Sequence, residues 1–197
     1  MRANLLGLGP SLKNFNLTNT TGENVHITFN AGIFEERMTN VSNWVIVHDS
    51  RFIRDDYLKK LSELKKTKVA SFGKFEENLR INPTLVTDML NNKLIYKFWS
   101  NLVNDELLLN VVVDFGIPFA AHLGAKEINL HGCDFNYFLD EDGNADYFDK
   151  FSKEFDFDHD INSHNSWSAR SCFRLQEAME LFAQENIKIS WCNDRQN

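Results

Sequence analysis

The sequence is poor in the features that mark extracellular, membrane-spanning or zinc-stabilised chains. It has only three cysteines, an odd number without close spacing, so we predict neither a disulfide framework nor a zinc site. No apolar run approaches the ~20 residues needed to cross a bilayer, and no signal peptide precedes the first predicted strand. We therefore expect a cytoplasmic protein in a reducing compartment.

Basic residues are also scarce. The chain carries 28 acidic and 21 basic residues, and its net charge of -7 argues against a nonspecific nucleic-acid binder, whose footprint is a basic surface. A nucleotide or nucleotide-sugar is compatible with this charge, because a local pocket can be positive on an acidic protein. The composition, 43% hydrophobic over 197 residues, predicts a single globular domain over residues 1–197.

The most informative pattern is a glycine turn near the start of the chain. A short apolar run leads into Gly7-Leu-Gly-Pro-Ser11, which predicts a buried strand, a tight turn and then a helix with Ser11 as its N-cap. Glycines let a ligand approach the backbone, and a helix N-terminus attracts an anion such as phosphate. The third glycine of a dinucleotide fingerprint and the Gly-Lys-Ser/Thr of a P-loop are absent, so a turn that binds nothing stays open.

Strand and helix patterns alternate along the rest of the chain. After the first strand, strands are predicted at residues 25–29, 44–47, 68–72, 126–130 and 188–192. Helices are predicted at residues 33–38, 51–66, 83–90, 106–123 (kinked by Pro118) and 166–185. This alternation predicts an α/β fold with a single doubly wound, mostly parallel sheet of the Rossmann-like type. A long acidic, aromatic stretch over about residues 136–165 predicts a lid-like insertion.

Polar residues follow several predicted strands. Gly7 to Ser11, Asn30, Asp49 and Asp134 all lie at predicted strand ends, where open α/β sheets bind their ligands. Asn30 and Asp49 also suit ordinary turns, because Asn and Asp side chains bond their own backbone. Asp134 suits either a ligand contact or a structural role, in which it caps a helix or holds the glycine turn.

Five motifs together resemble a known group of proteins. They are Gly7–Lys13, Phe29-Asn30, Leu123–Ile128, Leu130–Phe135 and Ile187–Cys192. Their order and approximate spacing, over nearly the whole chain, resemble bacterial sialyltransferases that use CMP-sialic acid. The wider group includes motility-associated flagellin glycosylation factors and archaeal hydroxymethylpterin pyrophosphokinases.

The resemblance implies a nucleotide site. Its predicted members are Gly7, Gly9, Ser11, Asn30, Asp49 and Asp134. An aspartate at position 49 suits a ribose hydroxyl or a divalent metal better than a bare phosphate, so no cofactor is certain and magnesium is a candidate.

The resemblance also implies catalytic residues. His164 corresponds to the general base, and its near-neutral pKa suits removal of a proton from an acceptor hydroxyl. His159 is close enough to be the alternative, and a surface histidine without a role is the structural alternative. The remaining histidines are expected to pack or cap: His26, His48, His122 and His131. Tyr147 corresponds to a tyrosine that helps the phosphate leave. The stretch Glu106–Val113 contains no arginine where the group has one for the sugar carboxylate, so the donor sugar is left open.

Three functions follow from these observations. The first is a nucleotide-sugar-dependent, sialyltransferase-like glycosyltransferase that acts on a glycan acceptor. The second is a magnesium-dependent pyrophosphokinase-like phosphotransferase, in which Asp49 and Asp134 hold the metal. The third is a catalytically inert nucleotide-binding accessory protein of the same fold. Assembly into a homo-oligomer is expected from the resemblance.

Overall fold

A computed structural model describes residues 1–9, 11–12, 15–16, 24–48, 55–64, 67–71, 83–100, 110–135 and 161–192. They form one sheet of six parallel strands in the order β4-β3-β2-β1-β5-β6. The strands are β1 (Arg2–Leu6), β2 (Asn24–Phe29), β3 (Trp44–Val47), β4 (Lys68–Ser71), β5 (Glu127–His131) and β6 (Lys188–Cys192). The predicted parallel α/β sheet is confirmed.

Helices connect these parallel strands. They are α1 (Glu36–Val41), α2 (Asp55–Glu63), α3 (Pro83–Leu90), α4 (Lys93–Ser100), α5 (Ile117–His122) and α6 (Ile161–Ala183). A 3-10 helix, Asn30–Phe34, precedes α1, so the single helix predicted at residues 33–38 was wrong. In the part of the chain that is described, no helix is long and apolar enough to span a membrane.

The two faces of the sheet differ in chemistry because strand side chains alternate. On one face, residues such as Leu5, Ile27 and Ile128 join the largest hydrophobic cluster, which includes Phe98 of α4 and Phe182 of α6. On the other face, Leu6 packs with Leu12 and Met38 in a smaller cluster. Three polar strand residues are also buried: Asn4, His26 and Thr28.

The strand order reverses between β1 and β5. From β1 the chain builds outward through β2 to β4, and then crosses to β5 and β6 on the other side. In an open α/β sheet this switch point is where a crevice for a ligand forms. The glycine turn follows β1 and Gly132 to Phe135 follow β5, so the two most informative motifs meet there.

The helix predicted across Pro118 has a different form. Val111–Gly116 is a π-helix capped by the Asn110 side chain, and α5 starts directly after it. Pro118 lies in the first turn of α5, where its missing N–H needs no partner, so it starts a helix instead of kinking one. Gly116 allows the π-helix to approach β2, because a Cβ there would lie 2.7 Å from Phe29 Cζ.

The last helix begins earlier than predicted. It starts at Ile161, so residues 161–165, placed by the sequence in the lid-like insertion, are helical. The spacing of Leu175, Met179 and Phe182 predicts one apolar side for this helix; Leu175 and Phe182 are buried, whereas Met179 is exposed. Ala178 takes its place on the buried face, since it is four residues before Phe182.

Candidate functional site

The backbones that follow β1 and β5 are joined at the switch point. The Gly7 N–H donates to His131 O at 2.8 Å, and the Gly9 N–H donates to Gly132 O at 2.7 Å. A Cβ at Gly7 or at Gly132 would overlap with the backbone of the other residue. These glycines are therefore required for close packing of two backbones, and we call residues 7–12 with 131–134 the glycine joint.

Asp134 lies inside the glycine joint. It is 4% exposed, and its Oδ2 accepts a hydrogen bond from the Ser11 N–H at 3.0 Å. Its carboxylate therefore caps the 3-10 turn at Ser11 and Leu12, a role that the sequence had assigned to the Ser11 hydroxyl. Of the two roles left open for Asp134, holding the glycine turn is the one that the structure shows.

This arrangement restricts how the glycine joint can meet a phosphate. The amides of Gly7, Gly9 and Ser11 already donate within the protein. Ser11 Oγ and Asp134 Oδ1 are buried without a hydrogen-bond partner among the described residues. A role for these residues in nucleotide binding stays a prediction, and in this conformation it cannot use those three amides.

Asn30 joins the ends of β2 and β3. Its backbone has the left-handed φ of +41°, its Oδ1 accepts from the His48 N–H at 3.0 Å, and its carbonyl accepts from the Tyr57 hydroxyl at 3.0 Å. Burial raises the pKa of Tyr57, which keeps this hydroxyl protonated as a donor. The turn-forming role of Asn30 is therefore observed. Its Nδ2 has no acceptor within the described ranges, and nucleotide binding by Asn30 stays a prediction.

An aromatic contact lies beside Asn30. The His48 ring stacks on Phe115 of the π-helix, with ring centroids 4.5 Å apart. Trp99 of α4 also lies beside Phe115, with ring centroids 6.2 Å apart. His48 was predicted to pack or cap, and it packs. The sequence did not single out Phe115, which lies within an apolar run.

Two further histidines pack on the second face of the sheet. The Phe15 ring stacks on His131 at 3.8 Å and lies 6.4 Å from His26. Neither nitrogen of His26 has a hydrogen-bond partner among the described residues, and burial lowers the pKa of this imidazole. Both histidines are therefore packing residues, as predicted.

A buried polar cluster joins the π-helix to α6. Asp114 Oδ1 accepts from Arg174 Nε at 3.1 Å, and Asp114 Oδ2 accepts from the Asn110 N–H at 2.8 Å. Arg174 also donates to the Phe98 carbonyl, and Asn110 Nδ2 donates to Ser171 Oγ at 3.0 Å. We call Asn110, Asp114, Ser171 and Arg174 the hub.

The hub is an ion pair with little access to water. The Asp114 and Arg174 side chains are 2% and 6% exposed. Burial raises the pKa of Asp114, while the hydrogen bond from Asn110 and the charge of Arg174 act in the opposite direction. The sequence analysis missed the hub. A signal existed, because Asp114 interrupts an apolar run and Arg174 lies next to the buried stripe of an amphipathic helix.

His164 is the fourth residue of α6, where the sequence had placed it before the helix. Helical spacing puts position 164 on the same face as Ser168 and Ser171, four and seven residues later, and both of these are buried. Because α6 ends just before β6 begins, its C-terminus lies at the amino-end edge of the sheet and its first turns are directed toward the carboxyl-end edge, where open α/β sheets bind ligands. The catalytic role of His164 stays a prediction.

The other predicted site residues lie outside the described residues. These are Asp49, Tyr147 and the alternative base His159. Within the described ranges, no three His, Cys, Asp or Glu side chains group as a metal site would require. Magnesium therefore stays a candidate that depends on Asp49.

Comparison with known proteins gives a clear result for the fold. No protein-family model and no curated protein matches the sequence. Among solved structures, the sialyltransferase CstII from Campylobacter jejuni in complex with cytidine-5'-monophosphate is similar, with a TM-score of 0.53 and 18% identity over 96% of this chain and 79% of that one.

Two further structures extend the comparison. The sialyltransferase CST-II in complex with a trisaccharide acceptor and CMP has a TM-score of 0.52 and 19% identity, covering 97% of this chain and 80% of that one. An alpha-2,3-sialyltransferase from Campylobacter jejuni in apo form has a TM-score of 0.56 and 20% identity, covering 98% and 76%. The chain therefore has a sialyltransferase-like fold over nearly its whole length.

Proposed function

We propose that this protein is a nucleotide-sugar-dependent glycosyltransferase that acts on a glycan acceptor. The observation that carries the proposal is the fold, which the chain shares along nearly its entire length with sialyltransferases solved with CMP. The fold alone does not determine an activity. The strand-end residues add support, because Gly7, Ser11 and Asp134 meet at the switch point, where such a sheet binds its ligand.

In the proposed reaction, His164 removes the proton of the acceptor hydroxyl and Tyr147 protonates or hydrogen-bonds the departing phosphate. The acceptor oxygen then bonds to the sugar carbon, and the bond from that carbon to the nucleotide phosphate breaks. The position of His164 in the first turns of α6 supports its assignment as the base. Asn30 Nδ2 offers a donor to the nucleotide, since its Oδ1 already accepts from His48.

The donor is proposed at the level of its nucleotide. CMP is the nucleotide bound by the similar structures, so a cytidine nucleotide is the first candidate. The absence of arginine from Glu106–Val113 argues against a donor sugar recognised there through its carboxylate. We propose no particular sugar.

The first test is thermal stability with CMP, CDP, UDP, GDP and ATP, each with and without magnesium. A nucleotide at 100 times its dissociation constant stabilises the folded state by about 2.7 kcal/mol. Stabilisation by a cytidine or uridine nucleotide without metal supports the proposal. Stabilisation by ATP with magnesium alone replaces it with the phosphotransferase, and no stabilisation by any nucleotide removes it.

The second test separates chemistry from binding. His164→Ala is expected to abolish transfer from a nucleotide-sugar while keeping nucleotide-dependent stabilisation, because it removes a base and not a nucleotide contact. His159→Ala is the matched control and is expected to keep turnover. Tight nucleotide binding by a wild-type protein that transfers and hydrolyses no donor would identify the inert accessory protein instead.

The proposal also includes the cellular location and the assembly of the protein. We propose a cytoplasmic homo-oligomer, since the three cysteines suit a reducing compartment and the resemblance includes assembling proteins. Sedimentation of the purified protein at micromolar concentration tests the assembly, and a purely monomeric protein would contradict it.

A further inference from the structure

The hub joins three helices at one buried point. Arg174 of α6 bonds Asp114 of the π-helix and the Phe98 carbonyl in the last turn of α4, and its guanidinium lies 4.1 Å from the centre of the Phe98 ring. Asn110 adds a second link, because its side chain donates to Ser171 of α6 while it caps the π-helix. The planar guanidinium fork therefore fixes the orientation of α6 in several directions at once.

The hub contacts the same helix, α6, that contains His164. From Arg174 to His164 is ten residues, or about 15 Å along a helix. After Arg174, α6 is held by apolar packing of Leu175, Ala178 and Phe182. Ser171 and Arg174 hold the middle of α6 by polar contacts, and Ser168 lies buried between them and position 164.

The hub is also connected by contacts to Asn30, on the nucleotide side of the candidate site. Phe115 follows Asp114 directly and stacks on His48, whose N–H donates to Asn30 Oδ1. The Asp114 carbonyl accepts from Trp99 Nε1 at 2.7 Å, which holds the π-helix on α4. The ion pair between Arg174 of α6 and Asp114 of the π-helix thus connects the helix that carries His164 to the contacts that reach Asn30.

We propose that Asp114 and Arg174 are positioning residues, which set the distance between His164 on α6 and the nucleotide side of the site at Asn30. This proposal rests on the proposed function. A tilt of α6 by about 4° at Arg174 would move position 164 by about 1 Å, and a displacement of about 1 Å can cost about 100-fold in rate.

The test variant is Arg174→Lys. Lysine keeps the positive charge beside Asp114, so the carboxylate is not left unpaired, but it lacks the fork that reaches Asp114, Phe98 and Glu177 together. Glu177→Gln is the matched control, because it changes the partially exposed partner of Arg174 and leaves Asp114 and Phe98 bonded. Ser171→Ala, which removes the hydrogen bond from Asn110 Nδ2, replaces Arg174→Lys if the latter does not fold.

Two readouts are measured on the full chain: steady-state transfer kinetics and amide hydrogen exchange. We expect Arg174→Lys to lower kcat at least about tenfold with little change in the KM for the donor. We also expect amide hydrogen exchange to become about tenfold faster in residues 165–170 and to stay unchanged in residues 178–183. Unchanged kcat and exchange would overturn the proposal, as would faster exchange throughout the chain. If the wild-type protein has no turnover, the proposed function fails and the catalytic part of this proposal fails with it, whereas the exchange pattern still shows whether the hub orders the start of α6.

Discussion

The glycine joint and the hub both fix backbone segments that are far apart in sequence, but they do so by different physics. In the glycine joint, backbone meets backbone, and a Cβ on Gly9 would overlap with the Asp134 carboxylate and lie 2.8 Å from Gly132 O. In the hub, side chains span the gap with hydrogen bonds and opposite charges. The glycine joint leaves no space for a side chain, whereas the hub pairs two buried charges of opposite sign.

This difference predicts how each region responds to change. A steric contact fails when an atom is added, and it cannot be repaired by a change of charge. A buried ion pair fails when one partner is removed, because the remaining charge stays buried without compensation. The predictions below follow from this contrast.

The largest effect is expected at the hub. Arg174→Leu leaves the Asp114 carboxylate buried and unpaired, so we expect a loss of about 3–5 kcal/mol in the free energy of unfolding, measured by urea titration. Asp114→Asn combined with Arg174→Leu removes both charges and is expected to recover a large part of this loss. A double variant no more stable than Arg174→Leu would contradict the charge explanation.

The next effect is expected at the glycine joint. Gly9→Ala adds a methyl group where Asp134 and Gly132 already lie, and overpacking of this kind costs about 1–3 kcal/mol. Gly124→Ala is the matched control. It imposes a positive φ on alanine but meets no atom within 4 Å, so about 1 kcal/mol is expected. Equal melting temperatures for the two variants would show that space is not limiting at Gly9.

A smaller, pH-dependent effect on stability is expected at His26. This side chain is buried, and neither of its nitrogens has a hydrogen-bond partner among the described residues. Burial lowers its pKa in the folded state below the ordinary 6.5. The unfolded chain therefore takes up the proton first, and stability is lost as the pH falls below about 6.5, by at most about 1.4 kcal/mol per pH unit.

His26→Phe should remove this part of the pH dependence. The measurement is the free energy of unfolding of both proteins from pH 7.5 to pH 5. Because other groups also titrate in this range, the difference between the two slopes is the quantity to compare. Parallel curves would mean that the folded protein binds the proton on His26 as readily as the unfolded chain does.

The smallest effect is expected at an exposed ion pair with the same chemistry as the hub. Arg2 and Glu127 lie 2.9 Å apart with side chains 50% and 36% exposed, and the hydrogen bond from Arg2 lowers the pKa of Glu127. Exposed pairs contribute about 0–1 kcal/mol. Arg2→Ala should therefore change the urea midpoint little, and a loss comparable to that of Arg174→Leu would contradict the role assigned to burial.

The fold was largely predictable from local patterns. The bounds of β3, β6 and α3 agree with the predictions to the residue, and the glycine turn was placed at the carboxyl end of β1. These elements depend on alternation, helical spacing and turn residues, which are properties of neighbours in the sequence. The π-helix and the early start of α6 were missed, because no local spacing signals either of them.

The partners within the site came from the tertiary structure alone. The sequence marked Asp134 and Asn30 as strand-end residues, but Ser11 and Asp134 are 123 positions apart, and Asp114 and Arg174 are 60 apart. A hydrogen bond between such residues depends on how helices and strands pack, and no short segment encodes it. Local patterns therefore determined the elements and the edge at which the polar residues gather. Packing decided that Asp134 holds the glycine joint and that the two charges of the hub meet, because the first requires the ends of β1 and β5 to be neighbours in the sheet and the second requires α6 to pack on the π-helix.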